Sequence, residues 1–426
     1  MRACRLAPAR PAHGVLARAL LFSAVSAAFA SIGGLVAADD EDCARCGWKT
    51  PRGRRSAVVR TSGELLAAVG AARAGATILI EDGEYVLPRM VHITAPGVVL
   101  RGKSGDRKKV VLRGAGMDER AAGVGISIAA SKVVVADLSV GQVGFHGIQV
   151  RGELGVEGVA VHGVRVFDCG QQLLKGSVGK NGKYADDGLV ACSTFEYRER
   201  APSDYTNGVD VLAGKGWTVR DCVFRNIRGP EARGGAAGPA ILFWANSIDT
   251  VIERNLVVDC YRGIALGLKP GLSELARDGE KRFDHQRGVV RQNIVVSLDG
   301  ATDEGIEING CPDVVVEHNT VFVEGKLPWS IGLRFAPTSG VVRNNLSNRQ
   351  ILLRDGGTAR LAANVRGAER TWFVDCAQAD LRLRSADLPA VDAAQPIEGL
   401  RQDFARRPRA TGRAPDAGAH EYRPAR

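Results

Sequence analysis

Lys175 is the first residue whose type and setting suggest chemistry. It closes the run Gln172-Leu173-Leu174-Lys175, and the longest stretch without a recurring pattern, Gly176 to Thr206, follows it. A lysine drawn toward neutrality by burial or by nearby cations can remove a proton as a general base. Asp186 and Asp187 lie inside that stretch, and adjacent carboxylates can supply oxygen ligands to Ca²⁺, the one cofactor these residues point to. His146 and His285 are further acid or base candidates, because histidine titrates near neutral pH. Each also has a plain structural reading: a solvated lysine at a strand end, solvated loop acids, satisfied histidines.

The elements that must position these residues are repeats. Val251-Ile252-Glu253-Arg254-Asn255-Leu256-Val257 is echoed by Val289-Val290-Arg291-Gln292-Asn293-Ile294-Val295 and by Val315-Val316-Glu317-His318-Asn319-Thr320-Val321. Trp217 to Val223 and Val341 to Leu346 follow the same rule. Equivalent positions are 137, 163, 222, 255, 293, 319 and 345, and the last three are 26 apart. A fixed period with larger intervals between means complete coils, some carrying inserted loops. The repeated segments are β-branched and alternating, which excludes helical repeats. The fold expected over 61–370 is therefore all-β, a right-handed parallel β-helix. Asn255, Asn293, Asn319 and Asn345 suit its bends and would stack as a hydrogen-bonded ladder about 4.8 Å per coil.

Both ends of such a solenoid need cover. Thr61 to Gly75 is expected to be an amphipathic helix, with Thr61 and Glu64 as a capping box and Leu65, Leu66, Val69 and Ala72 against the first coil. Residues 371–426, where the repeat fades, are expected to form a C-terminal cover.

Alternation along the first strand of each coil sorts the side chains. Ile148, Val209, Ile241, Ile264, Ile306 and Ile331 would face inward. Gln149, Arg151, Asp210, Leu242, Trp244, Glu307, Asn309 and Arg334 would share one outer face, with Trp244 free to stack on a ring or to pack under residues 228–238. For Lys175 the phase stays open, since either Leu173 or Leu174 can be the inward residue. Arg220, Arg262 and Lys269 are the cations on later coils able to lower a lysine pKa. Asp210 and Glu307 would stand three coils apart, about 14 Å at strand spacing, too far for a hydrolytic pair.

At the N-terminus, Arg2, Arg5 and Arg10 precede an apolar run from Val15 to Ala38, which ends in small residues before Asp39-Asp40-Glu41-Asp42. That layout is a secretory signal over 1–38, followed by a polar linker over 39–60 and implying a periplasmic or secreted protein with no membrane contact after cleavage. The chain carries 57 basic and 47 acidic residues, a net +10; removing the signal's four arginines leaves 53 against 47, or +6. A modest positive balance suits an anionic polysaccharide, whereas no nucleic-acid-binding motif is present. Cys43-x-x-Cys46 in the linker fits a local disulfide. The strand cysteines, Cys192 among them, fit small buried hydrophobes.

Three segments resemble known proteins. Ser62-Gly63-Glu64-Leu65-Leu66 through Gly83-Glu84-Tyr85 is similar to the opening of pectate-lyase-like β-helices, and Arg407-Pro408-Arg409 with Ala414 to Glu421 resembles the close of bacterial members. Gln172-Leu173-Leu174-Lys175-Gly176-Ser177 resembles the strand bearing the lysine base of the alginate lyase and chondroitinase B family. The Arg-His-Gly strand expected one coil later is absent, with Val211-Leu212-Ala213-Gly214 in its place, and Glu307 stands where that family carries an arginine. The resemblance implies an exported lyase or C5-epimerase acting on a uronate-containing glycan. Its rival is a non-catalytic glycan-binding or structural β-helix. The enzyme reading implies Lys175, His146 and Arg262 as catalytic residues. It further implies Trp244, Gln149, Asp210, Glu307 and Arg334 as substrate contacts, and Asp186 and Asp187 as metal ligands.

Overall fold

The computed structural model describes residues 55–409 and 411–424. The signal, Cys43 and Cys46 lie outside them. No helix among the described residues is long and apolar enough to cross a membrane.

The chain winds through three long parallel sheets of 12, 10 and 11 strands, each coil adding one strand to each sheet, which makes it a parallel β-helix. Strands of two to nine residues recur because β-branched side chains alternate between the interior and the surface. The first strand, Arg55–Val59, pairs with Ala76–Ile80 and lies inside the segment expected as linker. The helix is Ser62–Gly70, shorter than expected, with its N-terminus held by Glu64 N–H donating to Thr61 Oγ1 at 3.1 Å. Leu65 and Val69 are buried on its inner side.

The interior column of the ten-stranded sheet is in the expected register. Ile148, Leu174, Val209, Ile241, Ile264, Ile306 and Ile331 pair in succession and are all buried. Leu174 faces in, so Lys175 faces out. Along the turn between the other two sheets runs the asparagine ladder. Asn255, Asn293, Asn319 and Asn345 each donate an Nδ2 hydrogen to Oδ1 of the next rung, ending on Asn364, at 2.9–3.0 Å. The left-handed backbone belongs not to these asparagines but to the residue before each: Arg254, Gln292, His318, Asn344 and Ala363. The asparagine side chain is thereby freed to turn into the solenoid and bond its neighbours.

Two expectations change. The stretch 176–206 is not one loop, because Leu189–Ala191 joins the twelve-stranded sheet and Thr194–Glu196 the eleven-stranded one. A coil was hidden there because Cys192-Ser193 stands at the bend where later coils have asparagine. The C-terminal segment covers a flank more than an end. Phe373, Leu381, Leu383, Ala417 and Ala419 pack on Ile294, Val296, Phe322 and Leu346, which project outward from the eleven-stranded sheet. Cys169, Cys260, Cys311 and Cys376 are free and buried, as small hydrophobes, and Cys222 is buried as well, whereas Cys192 is disulfide-bonded.

Candidate functional site

The outer face of the ten-stranded sheet carries the side chains with chemistry. Its register aligns Gln149, Lys175, Asp210, Leu242, Ala265, Glu307 and Gly332 in one outward column, with Trp244 and Arg334 beside it. Polar residues gather at both ends of this column, separated by Leu242 and Ala265. Asp210 and Glu307 are three rungs apart, about 14 Å.

At the first end Lys175 Nζ meets Asp210 Oδ2 at 2.5 Å and Tyr205 Oη at 3.2 Å. Asp210 Oδ1 accepts from Trp244 Nε1 at 2.9 Å. Burial opposes the Lys175 charge, but the Asp210 carboxylate and the Tyr205 hydroxyl outweigh it and raise its pKa. A lysine base must be neutral, so the general-base role expected of Lys175 does not fit this environment; it is a fixed ammonium. Burial, and then the Lys175 charge, push His146 down to about 4, leaving a neutral imidazole. Trp244 is partly buried and packs on the Leu212, Ala213 and Ala245 patch, which Val178 and Tyr184 of the 177–188 loop share.

Asp186 and Asp187 do not join this cluster. Asp186 is held by Arg277 and by the Lys215 N–H at 2.9 Å, and Lys175 pairs with neither acid. Among the described residues no three His, Cys, Asp or Glu side chains converge to hold a metal. His285 is wholly buried, with Nε2 2.9 Å from Thr250 Oγ1, and is part of the interior. Arg220 lies on the twelve-stranded sheet beside Asp221.

At the other end Arg262, Glu304, Glu307, Trp329, Arg334 and Arg354 line a pocket of about 290 Å³. Arg262 is thus separated from Lys175, the residue it was expected to assist. Its Nε stands 2.7 Å from Asp303 Oδ2 and 3.3 Å from Glu307 Oε1. Arg354 Nη2 approaches Glu304 Oε2 at 3.6 Å, and its guanidinium lies 4.9 Å from the Trp329 ring centre. Arg334 pairs with Asp355.

Glu304 is the residue the sequence analysis missed. It precedes the strand Ile306–Asn309, and its carboxyl reaches over Gly332, the rung next to Glu307. Burial, and then the Glu307 charge, raise its pKa to about 8, so it is protonated at neutral pH. Burial likewise raises Glu307, against the pull of Arg262. Glu304 Oε1, Ser330 Oγ and Arg354 Nε are buried without a hydrogen-bond partner. Buried polar atoms are ordinarily paired, so unmatched ones beside a pocket leave hydrogen-bonding capacity there for water or a ligand. The available signal was Asp303-Glu304-Gly305-Ile306-Glu307, two glutamates three apart around a glycine.

Sheets and column define the class of fold as a parallel β-helix. The solved structure of pectate lyase Pel9A is similar over 90% of this chain and 100% of that one, with a TM-score of 0.56 and 15% identity. An alginate lyase from Paenibacillus sp. str. FPU-7 is similar over 74% of this chain and 99% of its own, at 14% identity and a TM-score of 0.40. A mannuronic acid specific polysaccharide family 6 lyase from human gut microbiota covers 73% and 80%, at 13% identity and a TM-score of 0.41. No protein-family model matches the chain, and no curated protein matches it in sequence. At these identities the likeness is one of fold.

Proposed function

We propose that the protein is a polysaccharide lyase acting on a uronate-containing glycan at the Glu304–Glu307 pocket. The observation that carries this reading is a glutamic acid held protonated at neutral pH beside a second carboxylate and three arginines. Elimination needs a cation to neutralise the substrate carboxylate, a base for the adjacent C–H and an acid for the leaving oxygen. Arg354 supports the first role: its nearest acid, Glu304, is neutral at pH 7, and its Nε has no partner. Glu307, whose raised pKa makes it a stronger base, would take the C5 proton. The C–H electron pair would form the new C4–C5 double bond as the C4–O bond breaks, and Glu304 would deliver its proton to the departing oxygen. Trp329 is the ring on which a sugar face would rest.

The polysaccharide activity of Pel9A and the other lyases of this fold supports the substrate class, and the three arginines support an acidic member of it. Incubation with alginate, pectate and glycosaminoglycans tests the proposal. An ultraviolet-absorbing unsaturated uronate end is expected from at least one of them. New reducing ends without any unsaturated residue would instead mean that the two glutamates catalyse hydrolysis.

A further inference from the structure

The C-terminal cover holds a second, larger pocket of about 790 Å³, on the flank formed by the eleven-stranded sheet and away from the face described above. Arg384, Arg407 and Arg423 line it together with Asp403, His420 and Glu421. Its acids are already engaged. Asp403 accepts from the backbone N–H groups of Arg407 at 2.8 Å and Glu421 at 3.2 Å, with His420 Nδ1 4.0 Å away. Glu421 is paired with Arg409 at 2.9 Å and accepts from the Asp416 N–H at 3.2 Å. A fourth arginine of the wall, Arg382, is taken up by Asp380.

Among the described residues the other three guanidiniums meet no carboxylate. Arg384 donates to the Val374 carbonyl at 2.7 Å and Arg423 to the Pro408 carbonyl at 3.0 Å, while Arg423 Nε is buried without a partner. No hydrogen bond or ion pair of the Arg407 side chain is found among the described residues. Three guanidiniums on the wall of one pocket, whose local acids are satisfied elsewhere, suit oxyanions, since the planar fork matches carboxylate and sulfate. The cavity exceeds one oxyanion, and Val374 and Pro424 add apolar wall. No Phe, Tyr or Trp lines it as a platform for nucleic-acid bases, which disfavours single-stranded nucleic acid.

We propose that this flank pocket is a separate binding site for an acidic saccharide, which it holds by carboxylate or sulfate groups through Arg384, Arg407 and Arg423. It would anchor a glycan independently of the pocket around Glu304. Calorimetry on the full chain carrying Arg354→Gln, which disables the first pocket, keeps the two proposals apart. The probes are a galacturonate oligomer, a heparin-derived oligosaccharide, polyglutamate and inorganic phosphate. One of the saccharides is expected to bind, and adding Arg384→Gln with Arg407→Gln should weaken it by at least about tenfold. Both arginines are exposed, and the single Arg407→Gln change serves if the pair impairs folding. Unchanged affinity in these variants, no binding of either saccharide, or equally tight binding of polyglutamate or phosphate would each overturn the proposal.

Discussion

Glu304 and Gly332 share one volume: the Glu304 carboxyl occupies the place into which a side chain on residue 332 would project. Gly332 is the next rung below Glu307 in the outward column, so its missing side chain lets a second carboxyl settle beside the first. Gly332→Ala should push the flexible end of Glu304 aside at a stability cost of about 1–3 kcal/mol, while activity falls far more than the folded fraction does. Turnover unchanged in a well-folded Gly332→Ala protein would separate the pair from function.

The raised Glu304 pKa has a consequence for stability. Between an ordinary glutamate value of 4.5 and about 8 the native state holds a proton that the unfolded chain releases. Stability from this group is therefore complete below pH 4.5 and is lost as pH rises toward 8. Glu304→Gln removes the dependence, so the variant should gain on the wild type by on the order of a few kcal/mol between pH 5 and pH 9. Parallel melting curves across that range would show Glu304 to be an ordinary exposed acid.

Lys175 and Asp210 make a buried pair, and removing one partner strands the other. Lys175→Met should cost about 3–5 kcal/mol, and adding Asp210→Leu should restore most of it. Denaturant unfolding of the two variants decides this. Equal stability of Lys175→Met and the wild type would contradict the pairing.

Asn319 stands in the middle of the ladder, bonded to Asn293, Asn345 and the Val290 carbonyl. Asn319→Ala should destabilise the solenoid by at least about 3 kcal/mol, because several buried groups lose partners at once. Asn181→Ala, on the exposed loop, is the control and should be nearly neutral.

The solenoid was legible in the sequence because its signals are local and repeated. The isoleucine column follows from strict alternation, and the ladder from asparagines 26 residues apart. The Leu189–Glu196 coil was missed because its strands are three residues long and its bend lacks asparagine. The outer face was also legible as a set of residues, but not its division into two clusters. The partner of Lys175 lies 35 residues on, and the space for Glu304 is set by a glycine one coil later. Alternation tells which way a side chain points; charge and pKa depend on what stands on the neighbouring rung.

Release of unsaturated uronate ends by three proteins on one substrate tests the central claim most directly. The wild type and Lys175→Arg, which keeps the ammonium-like charge against Asp210, should cleave at comparable rates. Glu304→Gln should lose at least about a hundredfold in turnover, the scale of a missing general acid, while remaining folded. The reverse pattern, with Glu304→Gln active and Lys175→Arg inactive, would contradict the account and return the chemistry to Lys175.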